Sequence, residues 1–187
     1  IAHDLRTPLT RLRNNLETLH NESNGEKTQN LISEADHILS TFQALLRISK
    51  IENAPSKEYF THCDIRNIIT DVIELYEPLA IEKSIALRSE LPVAAPYFGD
   101  VNLLFQMYAN LLDNAIKFTP IGGTVSVLHR GGDAYQYVTI IEDSGGGIPE
   151  AEQRYVFDRF YRGEKSRSSD GNGLGLSMVK AVVSLHN

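Results

Sequence analysis

Leucines recur along the first 53 residues at steps of four and three. Leu5, Leu9, Leu12, Leu16 and Leu19 form a narrow seam of the kind that packs helix against helix. The polar run HNESNGEK, residues 20–27, breaks the period and predicts a turn. Beyond it, Leu31, Ala35, Ile38, Phe42 and Leu45 make one stripe, and Ile32, Leu39 and Leu46 make a second beside it. Two stripes are too wide for a single partner helix, so the pattern predicts a helical hairpin that pairs with a second copy into a dimeric four-helix bundle. NAPSK, residues 53–57, ends the second helix, because proline and small polar residues cannot continue the period, and it reads as a hinge. The chain thereby divides into a hairpin over 1–53 and a second domain over 58–187.

Past the hinge the pattern changes. KEYFTHCD alternates as a strand does, DIRNIITDVIELYEPLAIEKS has a helical period, IALRSEL alternates again, and VNLLFQMYANLLDNAIKF is helical after Asp100. GTVSVLHR and YQYVTIIED predict a β-hairpin around Gly131, Gly132 and Asp133, and a glycine-rich, charged region leads to a last helix from about Leu174. Strands and helices mixed without a regular β-α-β rhythm predict an α+β sandwich, with helices on one face of a mostly antiparallel sheet.

Composition narrows the function classes. At 187 residues the chain can hold one medium domain or two small ones, and a 42% hydrophobic share is that of a globular protein. A formal charge of -6, from 18 basic and 24 acidic residues, argues against a nucleic-acid partner, whose phosphates must be neutralised by Lys and Arg. Cys63 is the single cysteine, so it forms no internal disulfide and a reducing compartment is favoured; as a residue it reads as a small half-buried side chain. No stretch approaches the roughly 20 apolar residues that span a bilayer, and no signal-peptide pattern opens the sequence, so the expected location is the cytosol.

Four short stretches carry candidate chemistry. In IAHDLRTPL, residues 1–9, the leucine seam puts His3 and Thr7 on the solvent side, one helical turn apart. A neutral imidazole has a ring nitrogen free to act as a nucleophile, and Asp4 can hold the other as N–H. A solvated surface histidine is the plainer account, as is Thr7 capping a helix that begins at Pro8. In NLLDNAIKF, residues 110–118, Asn110, Asn114 and Lys117 share a face apart from the stripe of Leu104, Met107, Tyr108, Leu111 and Ala115. Asparagine inside a helix costs about half a kcal/mol against alanine, which asks for an offsetting role. Carboxamide oxygens can ligate Mg2+ and a lysine can meet phosphate, although a plain polar face fits equally well.

The third stretch, DSGGGIP at 143–149, follows a strand. Gly145, Gly146 and Gly147 permit close backbone approach and Asp143 can accept from the amine of a purine, although turn chemistry explains the same residues. The fourth, GNGLGL at 171–176, enters the last helix, where Gly171, Gly173 and Gly175 would expose N–H groups to an anion. It is neither a Walker loop nor a dinucleotide fingerprint. Between them, FDRFYRGEKSRSSD carries Arg159, Arg162, Lys165 and Arg167, either a solvated basic loop or a lid.

In this order and at these separations, HDLRTP, NLLDNAIKF, DSGGGIP, FDRFYRG and GNGLGL resemble the H, N, G1, F and G2 boxes of the sensor histidine kinases of two-component systems. The resemblance covers nearly the whole chain. It implies a dimerisation and histidine-phosphotransfer hairpin followed by an ATP-binding domain of the fold shared with gyrase and the heat-shock ATPase chaperones. It makes His3 the phosphoacceptor, Asp4 its acidic neighbour, Asn114 the Mg2+ ligand, Asn110 and Lys117 phosphate-side groups and Asp143 the adenine reader. Gly145, Gly147, Gly171, Gly173 and Gly175 would let the backbone approach the nucleotide, with Arg162 facing the γ-phosphate. Thr7 stands where such hairpins orient water to dephosphorylate their regulator. Pro8 then lies inside a helix that continues upstream of His3, bending it beside the reactive ring.

The resemblance further implies closing sheet strands beyond the last helix, and Phe118 departs from the tyrosine of many relatives. The expected activity is ATP-dependent autophosphorylation with Mg2+, in a homodimer that passes phosphate to a response-regulator receiver. The expected setting is the cytoplasmic portion of an inner-membrane sensor, joined to the membrane only through an upstream segment. A non-catalytic nucleotide-binding scaffold is the alternative of another class. A general gyrase-like ATPase leaves the histidine-bearing hairpin unexplained.

Overall fold

The computed structural model describes residues 13–14, 16, 18, 26–53, 57–131, 137–163 and 171–187. His3, Asp4, Thr7 and Pro8, the hinge residues 54–56, most of the turn at 20–27, the tip of the β-hairpin, and Lys165 and Arg167 lie outside the described residues. Among the described residues no helix is long and apolar enough to cross a membrane.

The second hairpin helix, α1, spans Glu26–Glu52. Arg13, Asn14, Leu16 and Thr18 are helical, and Arg13 Nε donates to the Asp36 carboxylate of α1 at 2.6 Å, tying the two arms together. The elements that follow are β1 (Thr61–Asp64), α2 (Ile65–Glu82), β2 (Ala86–Glu90), β3 (Pro96–Gly99), α3 (Val101–Phe118), β4 (Thr124–Gly131), β5 (Tyr137–Asp143), α4 (Glu150–Gln153) and α5 (Gly175–His186). Two aspartates set where the long helices begin. Asp64 accepts from the Arg66 N–H and from the Ala95 N–H, both at 2.9 Å, so it caps α2 and holds the approach to β3. Asp100 accepts from the Asn102 and Leu103 N–H groups at the start of α3. Such caps contribute about 1 kcal/mol each.

The strands form two sheets. β1 pairs antiparallel with β3, and β4 lies between β2 and β5. The β4·β5 pair is antiparallel, as the alternating pattern predicts, but β2·β4 is parallel, with Leu87 opposite Val125. That pair is joined by a crossover that includes α3, so one β-α-β unit exists where none was legible. β3 was also missed, because both Pro96 and Gly99 read as turn residues.

Helices α2 and α3 pack on the three-stranded sheet, and α5 packs on α3. Val125, Val127 and His129 of β4 point inward and are buried. On α3 the buried set is Leu104, Met107, Tyr108, Leu112, Ala115 and Ile116. Leu111, expected in the stripe, is half-buried and Leu112 is nearly fully buried, because α3 is flanked by α2, α5 and β5 rather than by one neighbour. The same buried cluster takes in Ile48 and Ile51 from the end of α1, which packs on α5.

Candidate functional site

α3 and the segment entering α5 bring together residues 54 to 65 positions apart in sequence. Asn110, Asn114 and Lys117 are half-buried on α3. A Cβ added at Gly175, the first residue of α5, would stand 3.4 Å from Asn110 Oδ1 and 3.8 Å from Asn114 Nδ2, and one at Gly171 would stand 3.3 Å from Lys117 Nζ. The polar face of α3 therefore meets the backbone of GNGLGL directly. Asn110 Nδ2 donates toward Met178 Sδ at 3.6 Å, which turns its oxygen to Gly175. No side chain caps the start of α5, and the Ser177 hydroxyl in its first turn donates to the Leu174 carbonyl. The first N–H groups of α5 thus present their positive end beside two carboxamides, with the Lys117 ammonium at Gly171 before the helix, an arrangement suited to an anion such as phosphate.

The GNGLGL segment is itself held by an interlock. Gly173 has φ 67° and Phe160 has φ 64°, and the Phe160 N–H donates to the Gly173 carbonyl at 2.9 Å. A Cβ on Gly173 would come within 2.8 Å of the Phe160 and Tyr161 backbone, so only glycine fits. This fixes the end of the FDRFYRG stretch against the loop, with Arg162 half-buried just beyond the contact. Arg159 is turned elsewhere: its guanidinium pairs with Glu52 of α1. Asn172 Nδ2 also reaches α1, donating to Thr41 Oγ1 at 3.4 Å.

The DSGGGIP loop sits at the other end of α3. Asp143 Oδ1 accepts from the Gly145 N–H at 2.8 Å, folding the loop, and the carboxylate keeps capacity for a further donor. A Cβ on Gly145 would be 2.6 Å from the Phe118 carbonyl, so the loop rests on the end of α3. Gly147 has φ 65° and faces open space. Lys117 Nζ lies 5.5 Å from the centroid of the exposed Phe118 ring, a cation–π distance. From Asn110 to Phe118 the helix rises about 12 Å, room for an elongated ligand with its anionic end at α5 and its planar end at the loop.

Ser144 and Phe160 were missed by sequence reasoning. The Thr124 N–H donates to Ser144 Oγ at 2.9 Å while Ser144 N–H returns to the Thr124 carbonyl, which anchors the loop to β4. The serine had read as ordinary turn chemistry, and nothing in the sequence marks a phenylalanine for a left-handed backbone. Among the described residues no three of His, Cys, Asp and Glu gather to hold a metal. A cation here would draw on carboxamide oxygens and on the ligand's own oxygens, a donor set that suits Mg2+. A separate cleft of about 600 Å³ opens between α1 and α5, lined by Glu52, Arg159, Ser177 and Lys180 among others; of the described candidate residues only Arg159 lines it.

Residues 1–54 match the His Kinase A (phospho-acceptor) domain, and residues 99–187 match the family of histidine kinase-, DNA gyrase B- and HSP90-like ATPases, an ATP-binding domain. The adaptive-response sensory kinase SasA of Crocosphaera subtropica is 34% identical over 200 residues, covering all of this chain and 52% of SasA. The chain thus spans about half the length of the curated relatives it matches. Among solved structures, the mycobacterial sensor histidine kinase MprB is 33% identical with a TM-score of 0.59, over 68% of this chain and 80% of MprB. Full-length ShkA in complex with AMPPNP is 26% identical with a TM-score of 0.78, over 98% of this chain and 39% of ShkA. With the N-terminal hairpin and the ATP-binding fold both matched, the chain belongs to the sensor histidine kinases of two-component systems.

Proposed function

We propose that this chain phosphorylates itself on His3 from ATP and passes the phosphoryl group to an aspartate of a response-regulator receiver. The observation that carries the reading is the meeting of Asn110, Asn114 and Lys117 with the GNGLGL backbone at the uncapped start of α5. In this reading residues 1–53 are the dimerisation and phosphotransfer hairpin and 58–187 the catalytic domain. Asp143 and the Gly145–Gly147 loop take the adenine, Asn110 and Lys117 the phosphate side, and Gly171, Gly173 and Gly175 bring backbone to the phosphates. Asn114 would hold Mg2+, which supplies charge neutralisation when bound, and Arg162 serves the γ-phosphate.

A lone pair of the neutral His3 ring attacks the γ-phosphorus. The N–P bond forms as the bond to the bridging oxygen breaks, and ADP leaves. Asp4 holds the N–H of the other ring nitrogen and balances the charge the ring acquires. The protein's contribution is positioning and charge stabilisation, as in other phosphoryl transfers. Thr7, with a hydroxyl that can accept from water and donate to a phosphoryl oxygen, serves regulator dephosphorylation. Leu31 and Ile38 of the first stripe of α1, left exposed by the chain itself, support a homodimer. The resemblance to sensor kinases supports a place in the cytoplasmic portion of an inner-membrane sensor.

Incubation with γ-labelled ATP tests the reading. Label is expected on the protein in a linkage labile to acid and stable to alkali, and His3→Gln is expected to abolish it. Undiminished labelling of His3→Gln would exclude His3 as the acceptor.

A further inference from the structure

We propose that Lys83 is a positioning residue for the nucleotide: its ammonium clamps the C-terminal end of α3 and so sets the two halves of the site relative to one another. The proposal rests on the reading that this site holds ATP. Lys83 directly follows α2 and is half-buried. Its Nζ donates to the carbonyls of Ile116 at 2.7 Å, Lys117 at 3.1 Å and Thr119 at 3.3 Å. An ammonium has three protons, and here each has a backbone acceptor. The final carbonyls of a helix lack intrahelical partners and form the negative end of its dipole, so a cation at this point is held by hydrogen bonds and by the field together.

The backbone of the same residue takes part. The Lys83 carbonyl accepts from the Gly122 N–H at 3.2 Å, and the Ala86 N–H donates to the Gly123 carbonyl at 2.9 Å. Ser84, next in sequence, is at φ 54°, a conformation non-glycine residues seldom adopt. One residue thus fastens the α2–β2 turn to the α3–β4 turn twice, once through its side chain and once through its backbone.

What the clamp grips belongs to the site on both sides. Lys117, whose carbonyl is bound, carries the ammonium beside Gly171. Phe118 lies between the gripped carbonyls of Lys117 and Thr119, and its own carbonyl is the surface on which Gly145 rests. Upstream, Asn110 and Asn114 are held against α5 by packing that does not involve Lys83. Loss of the clamp therefore loosens the last turn of α3 and the loop that rests on it, and leaves the start of α5 in place. Phe118 and the loop on the base side should suffer more than Asn110, Asn114 and the start of α5, and Lys117 is the one phosphate-side group in the loosened turn.

The test is titration calorimetry of the full chain with ATP, ADP and adenosine. The variants are Lys83→Met, Lys83→Arg and, as a control for stability alone, Val72→Ala in the α2 core. Lys83→Met is expected to weaken adenosine by about tenfold or more, and ATP by a comparable or smaller factor, at a temperature where it stays folded. Lys83→Arg, whose guanidinium can donate to the same carbonyls, should stay within about threefold of wild type. Val72→Ala should bind as wild type does. Wild-type affinities in Lys83→Met, or an equal loss in Val72→Ala at matched melting temperature, would overturn the assignment. Failure of the wild-type chain to bind ATP would overturn the nucleotide reading and this role with it. Should Lys83→Met fail to fold, Lys83→Gln, which keeps two donors, is judged by the same comparison.

Discussion

His186 lies in the last turn of α5, where its Nδ1–H donates to the Val182 carbonyl at 2.8 Å and its Nε2 accepts from the Asp100 N–H at 3.1 Å. Donation by a backbone N–H fixes the tautomer, and both ring nitrogens are used only while the ring is neutral. The ring stacks on Phe60 at 4.5 Å, and a Cβ at Gly99 would approach it to 2.9 Å, so glycine is required there. One side chain thereby joins the end of α5 to the cap of α3 and to the β1·β3 pair. Burial pushes its pKa below the ordinary 6.5, helped by Lys57 and opposed by the Val182 carbonyl and Asp100. His129 is lowered in the same sense by burial, against Asp64, and its Nδ1 engages Thr139 Oγ1 at 2.7 Å. Both rings are held neutral in the fold, so below pH 6.5 the unfolded chain binds more protons. Their contribution is complete above the ordinary histidine pKa and is lost as pH falls through the lowered values. Urea midpoints measured from about pH 7 to pH 5 should fall, and His186→Gln should flatten part of that slope. Profiles of equal slope for the two proteins would remove His186 from the account.

At the scale of elements, α1 is divided between two environments. Ile32, Ala35 and Leu39 are buried within one chain, while Leu31 is 50% and Ile38 46% exposed. The structure thus covers Ile32 and Leu39 of the second stripe, and divides the first: Ala35 is covered by the chain, while Leu31 and Ile38 are left for a partner. Ile38→Asp should keep helical content, since the monomer leaves that side chain in solvent, yet place an unpaired charge in the proposed dimer seam at about 3–5 kcal/mol. Sedimentation should show dimeric wild type and monomeric variant at equal concentration; a wild-type monomer, or a variant that stays dimeric, would contradict the bundle. The limits of α3 were readable because Asp100 caps one end and the apolar period runs unbroken to Phe118. β3 and the parallel β2·β4 pair were not, since PYFG carries the residues of a turn and strand pairing across an intervening helix leaves no local trace.

For the whole molecule, the residues proposed to touch a ligand stand out in the sequence, and the residues that hold them in place do not. Asn110, Asn114, Lys117 and the glycines stand out because carboxamides inside a helix and clustered glycines need a reason. Lys83, Ser144 and Phe160 act through backbone carbonyls and N–H groups whose positions depend on turns, and their types give no hint of it. The account turns on a single nucleotide site shared by α3 and α5, and titration of ATP with and without Mg2+ into the wild-type chain and Asn114→Ala tests it most directly. Asn114 is half-buried on a polar face, and alanine is the better helix former by about half a kcal/mol, so the variant should fold at least as well. Wild type should bind ATP more tightly with Mg2+ than without, and Asn114→Ala should lose that increment, at least about tenfold in affinity. Mg2+-dependent affinity equal to wild type in a folded Asn114→Ala would contradict the site.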